Sequence, residues 1–464
     1  MMALLPVLAL FTLATLFPCV VLAGRTPLAI FLAPLLTALC ASFAAQCEIA
    51  VAGSFLPWFV GTVAAANAMA ALHWFRSRHE RAEQSGATWV TSRWTLVVIA
   101  VVLCELVLPM LELRYPLNTV DGFATYYLHA LFLAAGHHPM VAALRNPALF
   151  FMNQNYPLLD PAAQVAAFRI TGQENARLGM LVMGWLDLAA LVVVVVGLVQ
   201  LVPAGFSRYA KVASILVLGL FAAVGVALDA SYVFSGDADL LWSACAVAAV
   251  VYGTLLPVKR ANFSIAALGV LVIAVTKNEG FITALFLALV LVWRYREAVL
   301  KCVPDASMVQ RLAVLGLVWL VLTAPGWWWE LYVMKNHLAA AFFNDLHHSE
   351  PPLSRIWPSI VSIGHFLAVG ILAIGIWIMA PQQLRVHRKV LGMLPTRYLW
   401  LTVAWYLGAL MGTYVFGVLE IHYWLLSSTN RTTIFPVLLF FVELALWFLV
   451  AASTYAGDPF RKDH

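Results

Sequence analysis

The sequence predicts an all-α, polytopic membrane protein built as a bundle of helices. Hydrophobic residues make up 63% of the 464 residues and charged residues only 11%, whereas a soluble domain usually carries about 25% charged residues. Apolar runs of about 18 residues or more, long enough to cross a bilayer, recur from one end of the chain to the other. These two observations exclude an ordinary cytosolic enzyme, a disordered chain and a fibrous protein.

Thirteen runs are predicted to span the membrane. Their approximate bounds are 1–23, 28–52, 54–74, 94–112, 179–203, 212–230, 239–257, 262–276, 280–294, 310–324, 357–380, 398–418 and 434–453. The first run lacks a basic segment before it, so we interpret it as a span rather than a signal peptide. We therefore divide the chain into an N-terminal part (1–93), a main transmembrane domain (94–453) and a short tail (454–464).

Basic residues set the predicted orientation. They cluster at six places, namely Arg76 to Arg93, Arg208 with Lys211, Lys259 with Arg260, Arg294 to Lys301, Arg385 to Arg397, and Arg461 with Lys462. Counting spans between the clusters puts all six on one side, which the positive-inside rule makes cytoplasmic. This distribution also accounts for the net charge of +5, so we predict no nucleic-acid partner.

The loops on the opposite side are predicted to be external. They are 113–178, 231–238, 277–279, 325–356 and 419–433. Loop 113–178 is too long for a simple connector, and its stretch 121–135 is typical of an amphipathic helix at the membrane interface. The triplet Trp327 to Trp329 is predicted to begin loop 325–356 as an interfacial anchor.

Charged groups gather at four places on this external side. These are Asp121, the pair Asp237 and Asp239, the turn Lys277 to Glu279, and Arg431. Each has a structural interpretation when it is considered alone. Asp121 and Asp239 are suited to cap the helices that follow them, and the charges of the turn Lys277 to Glu279 would keep that turn hydrated.

Taken together, the charged residues at the four places favour a catalytic site over four separate structural roles. Charges beside hydrocarbon are costly unless they are paired or line a cavity, and here they come from four separate loops on one face. A carboxylate there can accept a proton from an acceptor hydroxyl, while Lys277 and Arg431 can hold the phosphate of a lipid carrier. Asp237 and Asp239 can bind sugar hydroxyls or a divalent cation such as Mg²⁺ or Mn²⁺.

At these residues the chain resembles the GT-C superfamily of integral-membrane glycosyltransferases, which includes bacterial protein mannosyltransferases and lipid A aminoarabinose transferases. The matching elements, which run in the family's order between about 94 and 450, are Val120 to Phe123, Asn155 to Pro161, Ser235 to Asp239, Lys277 to Gly280, and Arg431.

The resemblance implies a sugar transfer at the outer face of a bacterial inner membrane, usually with inversion at the anomeric carbon. The donor is a polyprenyl-phosphate-linked sugar, and the acceptor is lipopolysaccharide or another envelope glycan, a lipid or a protein. Asp121 takes the place of the catalytic base. The matched elements make Asn155, Tyr156, Asp237, Asp239, Lys277, Glu279 and Arg431 the expected substrate-binding residues. Asp229 is a further candidate, because it lies near the outer end of the predicted span 212–230 and close to Asp237.

The chain departs from the family pattern in two ways. Three spans precede the loop that carries Asp121, where better-known members have one. The family's His-Pro-Asp before Tyr-Pro is replaced by Asn153-Gln154-Asn155. If the family's histidine or acid handles the acceptor, this chain takes a different acceptor or is inactive. Four histidines in external loops are candidates to substitute for it, namely His137, His138, His347 and His348.

Two other functions remain open from the sequence. A transporter or flippase of lipid-linked sugars would place its charges near the bilayer centre and would often contain inverted repeats; the sequence shows no internal repeat and has its charged motifs at one boundary. A non-catalytic homologue that only binds membrane lipid is compatible with the altered Asn153-Gln154-Asn155 element. Three further acids in or near apolar spans are expected to pair within the bundle, namely Glu48, Glu105 and Asp187.

Overall fold

A computed structural model describes most of the chain. The described residues are 5–23, 28–76, 121–201, 238–301, 303–304, 306–338, 351–366, 368–380, 396–416 and 431–455, with the single positions 421, 425 and 428. Within these ranges the protein is 88% helical and contains no strand. The all-α prediction is therefore confirmed for the described part of the chain.

Sixteen α-helices are described. They are α1 Leu5–Leu13, α2 Leu16–Ala23, α3 Leu28–Val51, α4 Phe55–Arg76, α5 Leu128–Ala135, α6 His137–Arg145, α7 Leu159–Thr171, α8 Ala176–Gln200, α9 Asp239–Val250, α10 Arg260–Ala274, α11 Asn278–Leu300, α12 Met308–Asn336, α13 Pro352–Phe366, α14 Ala368–Met379, α15 Thr396–Phe416 and α16 Ile434–Tyr455. Two π-helices, Asp121–Tyr127 and Val251–Leu255, and a 3₁₀-helix, Pro147–Met152, complete the described elements.

Five described helices are long and apolar enough to cross a membrane. They are α3, α4, α8, α12 and α15, and the bent pair α1–α2, which meets at 54°, would make a sixth if it forms one broken span. These lengths and compositions agree with a membrane protein. The count of thirteen spans is not confirmed, and the predicted spans 94–112 and 212–230 lie outside the described residues.

The core lies between the middle and the N-terminal helices. Helix α9 packs against α8, α10 and α16, while α3 packs against α7 and α8. In the most apolar stretch of α8, 89% of the residues are buried, compared with 17% in α4 and in α12. Helices α4 and α12 therefore present apolar side chains outwards, as lipid-facing helices do, and the first helices of the chain are part of the central packing.

One predicted boundary differs from the structure. The predicted loop 325–356 does not begin at 325, because α12 continues from its Ser307–Gln310 capping box through to Asn336. The described residues of the predicted span 357–380 belong to α13 and α14, which are separated only by position 367, outside the described residues. Helix α13 is amphipathic, since Arg355 and Ser359 are buried whereas Leu353 and Trp357 are exposed. A period-3.6 pattern of this kind does not stand out in a search for continuous apolar runs.

Helices α9 and α10 approach closely at Gly269. A Cβ at this position would lie 2.8 Å from the carbonyl oxygen of Cys245 and 3.3 Å from the Cβ of Ala249. The first of these separations is shorter than real Cβ atoms show. Because the obstructing atom belongs to the backbone of α9, the two helices would have to move apart to admit a larger residue.

We expect Gly269→Ala to lower the free energy of unfolding by about 1–3 kcal/mol through overpacking. The matched control is Gly316→Ala on α12, where an added Cβ meets nothing within 4 Å, and which should be neutral or stabilising by up to about 1 kcal/mol. Thermal unfolding of the detergent-solubilised variants measures the change in stability that each substitution causes. Equal melting temperatures for the two variants would contradict the close packing of α9 on α10.

Candidate functional site

Four segments that are distant in sequence meet at one end of the bundle. Asp239 is the first residue of α9, and Lys277 immediately precedes α11. Arg431 lies three residues before α16, and Tyr156 lies in the turn before α7. A carboxylate at a helix N-terminus is favoured by the helix dipole, so the start of α9 provides a suitable place for Asp239.

Asp239 lies between two cations. Its Oδ1 atom is 2.6 Å from Nζ of Lys277, and its Oδ2 atom is 3.8 Å from Nη1 of Arg431. The side chains of Asp239 and Lys277 are 2% and 4% exposed, whereas Arg431 is 17% exposed. We call these three residues the Asp239 cluster. Since a buried charge is costly without a partner, the pairing explains how Lys277 and Asp239 are tolerated inside the protein.

Tyr156 covers the cluster from the side of the turn before α7. The Lys277 ammonium lies 5.8 Å from the centroid of the Tyr156 ring, within the range of a cation–π contact. Tyr156 in turn contacts Tyr126 of the π-helix, with ring centroids 6.3 Å apart. The two rings and Ala238 form a small buried apolar cluster, which keeps water away from this side of Lys277.

The backbone fixes the turn before α7 against the turn that carries Lys277. The amide of Leu159 donates to the carbonyl of Val275 at 3.1 Å. Asn155 lies in the same turn, and its carbonyl accepts a hydrogen bond from Nε1 of Trp329 at 2.8 Å. The side-chain oxygen of Asn155 is buried without a hydrogen-bond partner within the described residues.

Glu279 lies close enough to act electrostatically on the cluster without forming an ion pair within the described residues. Burial acts to lower the pKa of the Lys277 ammonium, but Asp239 and then Glu279 outweigh it and hold that pKa above its usual range. Lys277 is therefore charged at neutral pH. With two cations and two carboxylates, the group formed by Asp239, Lys277, Glu279 and Arg431 has a formal net charge near zero.

Helix α15 supports the segment that carries Arg431. The hydroxyl of Tyr406 donates to the carbonyl of Thr432 at 2.6 Å, and the hydroxyl of Tyr414 lies 2.9 Å from Oγ1 of Thr432. Sequence reasoning missed both tyrosines, because nothing distinguishes them from other aromatic residues of an apolar helix. Their separation of eight residues, about two helical turns, is the signal that places both on one face.

Three predicted site residues have side chains that the structure does not describe. Asp121 begins the π-helix, but its side chain lies outside the described part. Asp229 and Asp237 also lie outside the described residues. Nδ1 of His137 donates a hydrogen bond to the carbonyl of Glu48 at 2.7 Å, and Glu48 lies near Arg169 at the end of α7 opposite Leu159.

Asp239 does not fit the expected role of a divalent-cation ligand. Both of its oxygens face cations, namely Lys277 and Arg431, whose positive charges would repel a metal ion. The described residues include no group of three His, Cys, Asp or Glu side chains placed to hold a metal ion. No step of a mechanism is therefore assigned to a metal at Asp239.

The tryptophan triplet differs from the predicted interfacial anchor. Trp329 is completely buried, stacks on Tyr332 at 5.8 Å and bonds to the Asn155 carbonyl as described above. Trp327 packs edge-on against Phe281 of α11 at 5.2 Å. The prediction is wrong for Trp329, because a helix that continues through the triplet turns this side chain inwards, where its N–H finds a backbone acceptor.

No protein-family model, no curated protein and no solved structure matches the chain. A functional conclusion therefore depends on the residues and on the geometry just described.

We expect Lys277→Met to destabilise the protein by about 3–5 kcal/mol, because it leaves the Asp239 carboxylate buried with only the more distant Arg431. The double variant Lys277→Met, Asp239→Asn should recover part of this loss, since it removes both buried charges. Denaturant unfolding measures these differences, with the exposed Lys301→Met as the control. Additive losses in the double variant would contradict a direct interaction.

A second prediction concerns His129 on α5, outside the candidate spans. Its ring is fully buried, neither ring nitrogen has a hydrogen-bond partner within the described residues, and burial lowers its pKa to about 4. An unfolded histidine titrates near pH 6.5. As the pH falls below about 6.5 the unfolded chain alone binds the proton, so the free energy of unfolding should fall by about 1.4 kcal/mol per pH unit until about pH 4.

His129→Phe should remove this part of the pH dependence, whereas His138→Phe, at an exposed position, should retain it. Thermal unfolding of the three proteins between pH 4 and 8 distinguishes them. An identical pH dependence for His129→Phe and the unaltered protein would show that His129 does not contribute.

Proposed function

We propose that this protein is a membrane glycosyltransferase of the GT-C type, which transfers a sugar from a polyprenyl-phosphate donor to a cell-envelope acceptor. The single observation that carries the proposal is the Asp239 cluster itself. Four of the five sequence elements that resemble the family converge at one end of the bundle, namely those with Tyr156, Asp239, Lys277 and Arg431. A chance resemblance of short motifs would not require their side chains to meet.

The roles of the residues follow from their exposure and charge. Arg431 is the more exposed of the two cations, so it is the one we assign to the donor phosphate. Its guanidinium suits the geometry of phosphate oxygens. Lys277 is held on Asp239, and the pair fixes the position of Arg431 and supplies a fixed electrostatic environment. Such fixed charges stabilise a transition state without reorganisation.

In the proposed reaction, the acceptor hydroxyl oxygen forms a bond to the anomeric carbon of the sugar. The bond between that carbon and the phosphate oxygen breaks, and its electron pair leaves with the phosphate. Asp121 takes the proton from the acceptor hydroxyl, as a general base does. Arg431 would counter the additional negative charge on the departing phosphate.

The remaining parts of the proposal concern the membrane. Thirteen spans would place the Asp239 cluster at the outer face of a bacterial inner membrane, with the basic loops in the cytoplasm. The polyprenyl tail would lie in the bilayer beside the bundle, and the acceptor, whether lipopolysaccharide or another glycan, a lipid or a protein, would approach from the aqueous side. The five long apolar helices support a membrane location in general terms.

We expect Asp121→Asn to lower transfer by at least about 100-fold, the usual contribution of a general base, while leaving the folded protein intact. Mass spectrometry of envelope lipids and glycans from cells lacking the gene, complemented with each variant, identifies the product. Glu174→Gln, an exposed acid in the loop before α8, is the matched control and should restore the product fully.

Equal rescue by Asp121→Asn and the unaltered protein would remove Asp121 from the role of base. If deletion of the gene changes no glycan or lipid, the proposed transferase activity is wrong, and a transporter or lipid-binding function becomes the better interpretation.

A further inference from the structure

The turn Asn153 to Asn155 is the element that departs from the family pattern. Each of its three residues forms hydrogen bonds with another part of the chain. The side-chain amide of Asn153 donates to Oγ1 of Thr125 at 2.9 Å. Gln154 donates through Nε2 to the carbonyls of Ala143 at 2.8 Å and Asn146 at 2.6 Å. The backbone carbonyl of Asn155 accepts from Trp329.

Each of these contacts connects the turn to a different element. Thr125 belongs to the π-helix that Asp121 begins. Ala143 lies in the last turn of α6, and Asn146 immediately follows that helix. Trp329 belongs to α12. The next residue, Tyr156, lies against Lys277. The turn therefore links the helix that carries Asp121 to the Asp239 cluster through a few residues.

The backbone of Asn153 is suited to this position. Its φ is +50°, in the left-handed region that asparagine tolerates better than most residues other than glycine. The carbonyl of Asn153 accepts the amide of Tyr156 at 2.8 Å, which closes the turn. One asparagine thus supplies both the backbone conformation and the amide that reaches Thr125, whose hydroxyl is completely buried.

We propose that Asn153 is a positioning residue, which acts through Thr125 to hold the Asp121-bearing π-helix at a fixed distance from the Asp239 cluster. This inference depends on the proposed function for its consequence, since Asp121 must be the base for its position to affect the rate. The hydrogen bond itself does not depend on that function. The π-helix is a rare conformation that is frequently found at functional sites, and the hydrogen bond from Asn153 to Thr125 is one contact that holds this one.

The test uses the full-length protein in lipid nanodiscs and two readouts. Thr125→Val removes the hydroxyl but keeps the shape of the side chain, and Thr125→Ser restores the hydroxyl. Asn153→Gly removes the amide while permitting the positive φ. Thr62→Val on α4, a threonine whose hydroxyl bonds to the carbonyls of Cys40 and Phe59, is the control for loss of a helical hydroxyl elsewhere.

Hydrogen exchange of the peptide 121–127 is the first readout. We expect Thr125→Val and Asn153→Gly each to speed exchange about fivefold, as the loss of one hydrogen bond predicts, and the double variant to be no faster than either. Thr125→Ser and Thr62→Val should exchange as the unaltered protein does. Unchanged exchange in Thr125→Val, or additive effects in the double variant, would overturn the proposed contact.

Transfer kinetics are the second readout. We expect kcat to fall about tenfold in Thr125→Val and to recover in Thr125→Ser. The KM for the lipid donor should stay within twofold of that of the unaltered protein, because the variant displaces the base and leaves the donor site in place. Faster exchange with an unchanged kcat would overturn the positioning role while leaving the transferase intact. If the unaltered protein transfers no sugar, the proposed function and the positioning role both fail, and hydrogen exchange still decides the contact.

Discussion

The buried ion pair between Lys277 and Asp239 constrains the rest of this end of the bundle. Neither charge can be buried without the other, because desolvating a single ion costs several kcal/mol. The start of α9 and the turn before α11 must therefore meet. The chain between these two points consists of α9, the π-helix after it and α10. Their meeting therefore fixes the path of α10 beside α9, and Gly269 permits the close approach that this path requires.

The ion pair also determines the positions of the segment before α16 and of the turn before α7. Arg431 also pairs with the Asp239 carboxylate, which brings the segment before α16 to the same place. Tyr406 and Tyr414 of α15 bond to Thr432 in that segment. Tyr156 covers the pair and brings the turn before α7 with it. In this way one ion pair, between the first residue of α9 and the turn before α11, brings together residues from four parts of the chain. An enzyme would use the same arrangement to keep its charges fixed in a site with little water.

The sequence indicated the all-α fold because apolar length is a strong local signal, but its count of thirteen spans is not confirmed. It also predicted that Asp239, Lys277, Glu279 and Arg431 lie on one side of a membrane, and the structure brings these residues close together at one end of the bundle. It could not predict which oxygens pair with which cation, since that depends on the packing of α9, α10 and α16. Nor could it place Trp329 inside the protein, because the same triplet suits a membrane interface when the helix is assumed to end before it.

The short length of α10 has a consequence for the surrounding lipid. Its 15 residues extend about 22 Å, whereas the 25 residues of α8 extend about 37 Å, and the hydrocarbon of a typical bilayer is about 30 Å thick. Helix α10 alone is therefore shorter than such a hydrocarbon layer, whereas α8 is longer. A span built on α10 would leave the Lys277 turn within the thickness of the bilayer unless the bilayer thins beside it. The pairing of Lys277 with Asp239 would allow a charged turn to lie at that depth.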